Sequence, residues 1–425
     1  MTQADPGVTC PMSMTYASLA ALAEAPRIAE TWRERVTAQT YDRRFIPAAE
    51  KKGATIGMAM TEKQGGSDVR SNTTSAESTG DGGYSLTGHK WFCSAPMSDA
   101  FLTLARTGEG LTCFLAPRWR PDGTRNAMHI MRLKDKMGDR SNASAEIEYH
   151  GAWGQRVGDE GSGVRTIIEM VQLTRYDCAL GSAGGMRAAL VRALWHAAHR
   201  RAFGSALIEH SAMTAVLADL ALESEAATAL ALRIGSALDR AASSATEAAF
   251  VRLATPVAKY WICKRQPGFV CEALECLGGA GYVEDGPMPG LFRQSPLNAI
   301  WEGSGNVIAL DILRALARSP DTVAAVVAEL EAAAGRSPHY DAHLEGIRTL
   351  LNGGVVREEG ARAIAQALGL GLQAAALHRA APGWVFEAFC RQRLDPARRG
   401  FLYGDVCDAV DPMQLIERAY PLPAD

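Results

Sequence analysis

The stretch MTEKQGGSDV, residues 60–69, decides how this chain folds, and it comes directly after an apolar run, ATIGMA. Its two adjacent glycines, Gly65 and Gly66, can take positive φ at little steric cost and let another group approach the main chain. A plain surface turn explains the pattern, because Gly, Ser and Asp favour turns. A loop of backbone N–H groups laid against an anionic or polar ligand also explains it. The other motifs of the chain decide between a surface turn and a ligand-binding loop.

The composition describes a globular protein of 425 residues, 47% hydrophobic and 21% charged. This length is enough for two or three domains and one large core. A formal net charge of -3 argues against a generally basic nucleic-acid binder, although it leaves room for a local basic patch.

The cysteine pattern and the apolar runs predict where the protein resides. Nine cysteines stand singly, with no CxxC pair, so we expect reduced thiols, no metal site and a cytoplasmic protein. The first ten residues, MTQADPGVTC, have no basic region followed by an apolar one, as a secretory signal would. Charges interrupt every Ala-rich stretch before it could span a membrane.

The pattern along the chain predicts an α+β fold that is mostly α. Residues 1–55 carry one short apolar helix candidate, SMTYASLAALAEA, and then a basic, irregular segment. Residues 56–155 contain short alternating runs such as GYSLTG and LTCFLAP, separated by Gly, Pro and Asp-Gly. This spacing predicts a small antiparallel β domain.

From residue 156 onward the apolar period is helical. Residues 156–318 contain three long runs with short connections, which predict a helical bundle, and a further helix is expected after Asn306. We expect Pro256 to kink the third run or to lie near a break. Residues 319–425 are rich in Ala and Arg and hold two or three more helix candidates.

Four motifs stand out in order along the chain: TEKQGGSDV; TGHKWFCS at 87–94; HRRAFG at 199–204; and the pair LGGAGY at 277–282 with IWEGSGN at 300–306. Each has a structural explanation when taken alone. A Trp-Phe pair in a strand belongs to a core, and a basic helix end followed by Gly is a common C-cap. A GGxG run is a turn, and a Glu in a Gly-rich loop is solvated.

Together, in this order and at this spacing, the motifs resemble those of the acyl-CoA dehydrogenase superfamily, whose members carry them around FAD. The strings SNTT, LKDK and RSNAS are further similar to its AidB-like branch, flavoproteins of the bacterial adaptive response to DNA alkylation. The resemblance begins near Val8 and runs to about Arg318. About 55 residues precede the β domain, where family members have a longer helical domain, so we expect a truncated start or an open acyl pocket.

The resemblance implies an FAD site and answers the question raised by the first motif. FAD needs close backbone donors along its ring edge and its pyrophosphate, and Gly65 and Gly66 permit that approach while Ser67 adds a hydroxyl. A helix that starts after Asn306 would direct its N–H groups toward cofactor phosphate. The implied cofactor-binding residues are Met60, Thr61, Glu62, Lys63, Gln64, Gly65, Gly66, Ser67, Asp68, Val69, Phe92, Ser94, Ala95, Pro96, Arg200, Phe203, Leu277, Gly278, Gly279, Ile300, Trp301, Glu302, Gly303, Ser304, Gly305 and Asn306.

The resemblance also implies roles for single residues. Glu302 matches the base that removes the α-proton of an acyl thioester in a dry pocket, although a structural Glu that caps the next helix remains the alternative. Arg175 matches an arginine near the cofactor and the acyl-CoA substrate, and a plain surface arginine is the alternative. Arg200, Phe203 and the LGGAG loop match contacts made across a subunit interface. This implies a homo-oligomer, either a closed symmetric dimer or a tetramer built as a dimer of dimers, and we expect the tetramer.

In AidB-like proteins the C-terminal region carries a surface for duplex DNA. Here residues 311–425 hold 12 Arg, no Lys and 15 Asp and Glu, a net-acidic balance that does not favour DNA. The candidate contacts are Arg314, Arg391, Arg393, Arg398 and Arg399. Helix-surface arginines that pair with nearby carboxylates are the alternative. The branch-specific strings favour a DNA-binding flavoprotein with weak or no turnover, whereas the retained Glu302 keeps a working acyl-CoA dehydrogenase as the second hypothesis.

Overall fold

The computed structural model describes residues 1–352, 357–398 and 411–420. Its contacts divide the chain into two compact units, Met1–Thr174 and Arg175–Asp425. The first, the N-terminal unit, contains a β domain, and the second, the C-terminal unit, is helical apart from one short hairpin. Among the helices of the described residues, none is long and apolar enough to cross a membrane.

The N-terminal unit begins with two helices, α1 (Pro6–Leu22) and α2 (Pro26–Val36). The side chain of Asp5 caps α1, because its carboxylate accepts a hydrogen bond of 3.0 Å from the main-chain N–H of Gly7. Helix α2 lies in the segment expected to be basic and irregular, so that prediction is wrong. Its apolar residues return at helical spacing among arginines and glutamates, and they form one buried face.

Seven strands follow: β1 (Ile56–Ala59), β2 (Ser75–Ser78), β3 (Tyr84–Ser94), β4 (Ala100–Thr107), β5 (Gly110–Pro117), β6 (Met128–Leu133) and β7 (Ser144–Val157). Five of them close into a ring in the order β4-β2-β3-β7-β5, since β4 also pairs with β5. The predicted β domain is confirmed. Most pairs are antiparallel, with β1 and β2 each parallel to β4.

Strand β4 explains how the β domain is filled on two sides. Phe101 and Ala105 belong to one buried cluster with Phe114 and Tyr149 of the ring. Leu102 and Leu104, which alternate with them, belong to a second cluster with residues of α1 and α2. Because successive side chains of a strand point to opposite faces, one strand serves both cores. This reads as a continuous apolar run rather than as strict alternation.

The C-terminal unit is built on three long helices, α3 (Gly163–His199) from Arg175 onward, α4 (Ser211–Ala241) and α5 (Ala245–Glu275). A short hairpin of β8 (Arg201–Ala202) and β9 (Ser205–Ala206) joins α3 to α4. The three predicted helical runs are confirmed. Helix α5 continues through Pro256, so no break lies there, whereas the kink given as the other expectation stays a prediction. The neighbours Thr255 and Val257 are fully buried, and their packing offsets the lost intrahelical bond.

Eight further helices complete the described part of this unit: α6 (Gly279–Tyr282), α7 (Met288–Gln294), α8 (Gly305–Arg318), α9 (Pro320–Glu331), α10 (Pro338–Asn352), α11 (Ala361–Ala380), α12 (Gly383–Phe389) and α13 (Pro412–Ala419). The helix expected after Asn306 is α8. Within 319–352, 357–398 and 411–420, five α-helices are present where two or three were expected. Helices α9 to α13 share one hydrophobic core with α4 and α5, so the core is continuous across the boundary expected at 318.

Candidate functional site

A buried carboxylate anchors the loop of the first motif. The side chain of Glu62 has no exposed surface and accepts hydrogen bonds from Lys90 Nζ at 2.8 Å, Thr74 Oγ1 at 2.7 Å and the Thr73 main chain at 2.7 Å. Burial raises the pKa of this carboxyl, but the charge and hydrogen bond of Lys90 outweigh it and bring the pKa of Glu62 to about 2. Both oxygens of the Glu62 side chain are thus bound inside the unit, and the cofactor contact predicted for Glu62 stays a prediction.

The tip of the same loop is exposed. Neither Gly65 nor Gly66 has positive φ, so the conformational reason given for these glycines is wrong. A Cβ on Gly66 would lie 3.0 Å from Thr61 Cγ2, so the loop leaves little room for a side chain here. The close approach of another group to this main chain stays a prediction. The main-chain N–H groups of Gly66 and Ser67 find no acceptor within the described residues. Together with Asp68, these residues present an uncovered edge of backbone donors.

Other residues of the first motif hold the loop in place. The carbonyl of Met60 accepts a hydrogen bond of 2.8 Å from Asn72, and the N–H of Lys63 donates to His89 at 3.0 Å. The side-chain amide of Gln64 donates to the carboxylate of Glu62 at 2.6 Å. These bonds leave the tip as the part of the motif that is open to a ligand, with Val69 half-buried beyond it.

The second motif presents an aromatic surface that the sequence reasoning missed. The Trp91 side chain is 38% exposed, and Lys134 Nζ lies 3.6 Å above the centre of its ring. The N–H of Trp91 donates to the carbonyl of Thr61 at 2.8 Å, which joins the first two motifs. Phe92 is half-buried, with Lys134 Nζ at 5.5 Å from its ring centre. The strings GHKWF and LKDK contain these residues, so a sequence signal was present.

Three residues predicted to contact the cofactor lie inside the β domain. Ser94, Ala95 and Pro96 are all buried, and the Ser94 hydroxyl lies 3.4 Å from that of Ser144. Ala95 takes a φ of 50° and packs in the core shared with α1 and α2. Little of the surface of these three residues is exposed, and their predicted cofactor contacts stay predictions.

The third motif is a turn with a fully uncovered aromatic ring. Phe203 has a φ of 53° and is 96% exposed, at the tip of the β8–β9 hairpin. Arg200 is also exposed, and its carbonyl accepts a hydrogen bond of 2.8 Å from Leu207. One helical turn earlier, Trp195 is 54% exposed and stacks on His199 with ring centres 4.7 Å apart. An apolar ring held out on a constrained backbone is typical of a contact surface.

Two buried cations hold the turn of the fourth motif. Glu302 has a φ of 57° and Gly303 a φ of 109°. The carbonyl of Glu302 accepts a hydrogen bond of 3.0 Å from Arg175 Nε, and the carbonyl of Gly303 accepts one from Lys259 Nζ. Arg175 also pairs with Asp311 at 2.7 Å and is 6% exposed, so it is not a plain surface arginine. Its predicted substrate contact stays a prediction.

Hydrogen bonds also hold the IWEGSGN loop before and after this turn. The indole of Trp301 donates to Asn298 at 2.8 Å, and Arg362 Nε donates to the side chain of Asn306 at 2.8 Å. Helix α8 has Ser304 as its N-cap residue, and the Ser304 side chain makes no capping hydrogen bond. Ile300, at the start of the loop, is 63% exposed.

The LGGAG loop is open to solvent. Helix α5 ends before it, and Gly278 takes a φ of 57° that favours glycine. A Cβ on Gly278 or Gly279 would meet no atom within 4 Å. Leu277 packs against the helical core, whereas Tyr282 is 81% exposed. The loop is thus bare backbone beside an exposed ring.

Comparisons with known proteins agree with this geometry. Models of the AidB N-terminal domain, the acyl-CoA dehydrogenase middle domain and the acyl-CoA dehydrogenase C-terminal domain match residues 1–43, 57–152 and 161–317. Putative acyl-CoA dehydrogenase AidB of Escherichia coli is 45% identical over 394 residues, which are 92% of this chain and 72% of AidB. The chain belongs to the acyl-CoA dehydrogenase family, in its AidB-like branch. Membership in this family implies FAD as the cofactor, as the sequence predicts.

A nematode relative of this AidB-like chain covers both units. Acyl-CoA dehydrogenase family member 11 of Caenorhabditis elegans is 33% identical over 352 residues, 80% of this chain and 56% of the relative. The solved structure of Caenorhabditis elegans ACDH-11 in complex with C11-CoA has a TM-score of 0.79 at 28% identity, covering 97% of this chain and 71% of that one. The predicted acyl-CoA dehydrogenase-like fold is confirmed.

The donor set of the AidB-like chain fits FAD. The N-terminal unit offers the unbonded N–H groups of Gly66 and Ser67, which suit a pyrophosphate, and the exposed ring of Trp91, which suits a flat ring system. The C-terminal unit offers the first turn of α8, whose N–H groups suit phosphate, beside the fixed turn of Glu302. The groups that these residues offer are main-chain N–H donors and an aromatic ring rather than charged side chains. An extended dinucleotide needs such donors and flat surfaces along its length.

The arginines expected to contact DNA have different surroundings. Arg393 lies on a π-helical turn, Cys390–Leu394, and pairs with Asp219 at 2.5 Å and Glu223 at 3.0 Å. Burial raises the pKa of Glu223, but its arginine partners bring it down to about 2. The guanidinium of Arg393 is 12% exposed and bound to two carboxylates, which matches the alternative of arginines paired with nearby carboxylates. Its DNA contact stays a prediction.

Arg314 is the candidate that remains open, with 61% of its side chain exposed and Asp311 at 3.8 Å. Arg391 pairs with Glu387 at 2.6 Å, which matches the alternative of paired surface arginines. The side chain of Arg398 and the whole of Arg399 lie outside the described residues.

Proposed function

We propose that this chain is an FAD-containing flavoprotein of the AidB type, linked to the response to DNA alkylation. It binds duplex DNA non-specifically and has weak or no acyl-CoA dehydrogenase turnover. The observation that carries the proposal is the 45% identity to AidB across 92% of the chain, with the match to the AidB N-terminal domain model. The four motifs support the cofactor, because their open groups suit FAD.

Each part of the cofactor would be held by different residues. The N–H groups of Gly66 and Ser67 would bind phosphate oxygen, and Trp91 would support the ring. The first turn of α8 would add donors for phosphate. Bound FAD supplies the acceptor for a hydride. Glu302 would serve as the general base for the α-proton of an acyl thioester, since the turn that carries it is fixed by Arg175 and Lys259.

A working acyl-CoA dehydrogenase is the second candidate function. Glu302 favours it, because a carboxylate on a rigid turn is the group that the reaction needs. The solved relative ACDH-11 was observed in complex with C11-CoA, which supports an acyl-CoA as the ligand. The acyl substrate would then be oxidised between its α and β carbons, with the proton taken by Glu302.

A neighbouring subunit would complete the cofactor site. Phe203 is almost fully exposed at a constrained φ, and Arg200 beside it is exposed as well. Both would reach the adenine and pyrophosphate end of a cofactor bound to another copy. A homotetramer, built as a dimer of dimers, would bury these residues in pairs.

DNA binding would rest on phosphate contacts. Arg314 is exposed and only loosely associated with Asp311, so it is free to approach a phosphate. The acidic balance of residues 311–425 argues for weak affinity, which several copies in one oligomer would raise by avidity. Such binding falls steeply with salt because each neutralised phosphate releases a counterion.

The proposal is tested on purified full-length protein. An absorbance spectrum with FAD quantification decides the cofactor, a gel shift on duplex DNA decides the DNA part, and bleaching by a panel of acyl-CoAs decides the reaction. Protein that stays colourless and takes up no FAD would refute the flavoprotein. If an acyl-CoA bleaches the flavin, Glu302→Gln should slow the reduction by a factor of about 10²–10⁴. The exposed Glu359→Gln serves as the control and should change nothing.

A further inference from the structure

Lys259 is a buried cation directly beneath the turn of Glu302. It lies on α5 with 1% of its surface exposed, and its ammonium donates to the carbonyl of Gly303. No salt bridge joins it to a carboxylate within residues 1–352, 357–398 and 411–420. A buried ammonium without such a partner is costly, so its retention calls for a compensating negative charge close by.

The charges of both Lys259 and Glu302 affect the pKa of the Cys178 thiol. Burial raises the pKa of Cys178 well above its ordinary value; the Lys259 charge acts against this rise, and the Glu302 carboxylate adds to it. Burial likewise raises the pKa of Cys263, and Lys259 opposes that rise as well. Both thiols therefore lie in the field of the ammonium, and the first also lies in the field of the Glu302 carboxylate.

We propose that Lys259 is a positioning residue for Glu302. Its hydrogen bond to the Gly303 carbonyl holds the left-handed turn, and its positive charge stabilises the Glu302 carboxylate in the ionised form. The catalytic part of this inference rests on the proposed role of Glu302 as the base. The electrostatic part concerns only residues of this chain and can be measured without a substrate.

The two buried cations, Arg175 and Lys259, differ in how far their charges are balanced by neighbouring groups. Arg175 already has Asp311 as a counter-ion at 2.7 Å, so most of its charge is balanced. Within the described residues the ammonium of Lys259 has a carbonyl partner and no carboxylate salt bridge, so its field acts on Glu302 with less compensation. The other titratable or charged groups around this turn come from α3, α5, α8 and α11; they are Arg175, Asp177, Cys178, Cys263, Lys264, Asp311 and Arg362.

A double-mutant cycle on the FAD-loaded, full-length protein tests the electrostatic part. The thermal midpoint is measured for wild type, Glu302→Gln, Lys259→Met and the double variant from neutral to acid pH. At neutral pH the double variant should lose clearly less than the sum of the two single losses, because each change removes the other's partner. Toward acid pH, where Glu302 is protonated, the coupling should vanish. Additive losses at every pH would overturn the proposal.

Arg252 supplies the matched control, since it is an exposed cation on the same helix. Arg252→Met combined with Glu302→Gln should be additive throughout. If Lys259→Met does not fold, Lys259→Gln replaces it in the cycle, because glutamine keeps a donor for the Gly303 carbonyl while removing the charge. If the cycle with Lys259→Gln gives the same coupling to Glu302→Gln as the cycle with Lys259→Met, the charge of Lys259 is not the cause of the coupling, and the electrostatic role would be overturned.

The catalytic part has its own readout. If an acyl-CoA reduces the flavin, Lys259→Met should move the acid limb of the reduction profile to higher pH, since loss of a nearby positive charge raises the pKa of a carboxyl. An unchanged limb would contradict the inference. If Glu302→Gln keeps full reduction, the base assignment fails, whereas the thermal cycle still decides whether Lys259 and Glu302 interact.

Discussion

Arg175 Nε donates a hydrogen bond of 3.0 Å to the main-chain carbonyl of Glu302, a residue 127 positions later in the chain. The bond ends on a turn whose φ of 57° is uncommon for a residue with a side chain. Because the guanidinium is also paired with Asp311, it is held firmly and in turn holds the carbonyl. The side chain of the candidate base is thereby carried on a rigid support.

Replacing Arg175 should loosen this support. We expect Arg175→Met to lower the free energy of unfolding by about 1.5–3 kcal/mol, the usual net contribution of hydrogen bonds to charged groups. FAD occupancy should fall with it. Arg165→Met, an exposed change on the same helix, is the control and should leave both unchanged. Chemical denaturation and flavin absorbance measure the effects, and a variant as stable as wild type would show that the turn does not need Arg175.

Adding a branched side chain at Gly66 should reduce flavin occupancy sharply. A Cβ there would already lie 3.0 Å from Thr61, and the two γ-methyl groups of Val would cover the exposed N–H groups of the tip. The matched change is Gly108→Val, in a turn where an added Cβ meets no atom within 4 Å. Occupancy is read from the ratio of flavin to protein absorbance. Full occupancy in Gly66→Val would mean that the loop is only a turn.

Flavin binding should depend on assembly through the exposed hairpin. We expect Arg200→Glu and Phe203→Ala each to release the cofactor and the partner subunit together, because the two residues are uncovered in the single chain. Size-exclusion chromatography with light scattering, monitored at the flavin absorbance, follows both at once. A variant that elutes as a monomer yet keeps its FAD would contradict the shared site.

The buried pair of Glu62 and Lys90 should control acid stability. The folded-state pKa of Glu62, about 2, lies below the ordinary value of 4.5, so the pair contributes stability above pH 4.5 that is lost as the pH falls toward 2. In Lys90→Met the carboxylate stays buried without its cation, which should cost about 3–5 kcal/mol at neutral pH and start acid unfolding at a higher pH.

Removing both charges provides the control for this pair. Glu62→Gln combined with Lys90→Met should recover much of the loss at neutral pH, because no buried charge is left unpaired. Urea unfolding at several pH values measures both variants. An acid transition of Lys90→Met that coincides with that of wild type would show that the pair does not set the acid limit.

Replacing two arginines one at a time should distinguish an effect on DNA binding from an effect on stability. Arg314→Ala should weaken duplex binding about equally for all sequences and reduce the log-log salt slope by about 0.9 for each phosphate that is no longer neutralised. Arg393→Ala should leave the slope unchanged but lower the thermal midpoint, because it strands Asp219 and Glu223. Gel shifts over a salt series check both. The absence of any retardation of duplex DNA by the wild type at ~50 mM salt would remove the DNA function.

The sequence by itself determined the family, the β domain followed by long helices, and the cofactor. These follow from local strings such as TEKQGGSDV and IWEGSGN and from apolar periods, which are carried by neighbouring residues. The continuous apolar run of β4 is likewise visible in the chain. The sequence failed locally at α2, where Arg and Glu residues mask the apolar face. It left open whether α5 breaks at Pro256, and the tertiary packing decided that the helix continues.

The tertiary structure alone decided which side chains of the motifs remain open. Glu62 lies inside a matching motif yet turns inward to Lys90, and Arg393 turns inward to Asp219, a residue 174 positions away. Lys259 lies within an ordinary helical sequence, and no motif near it predicts its hydrogen bond to the Gly303 carbonyl. Ion pairs and hydrogen bonds between distant residues depend on which surfaces the fold buries together, and a local pattern does not contain that information.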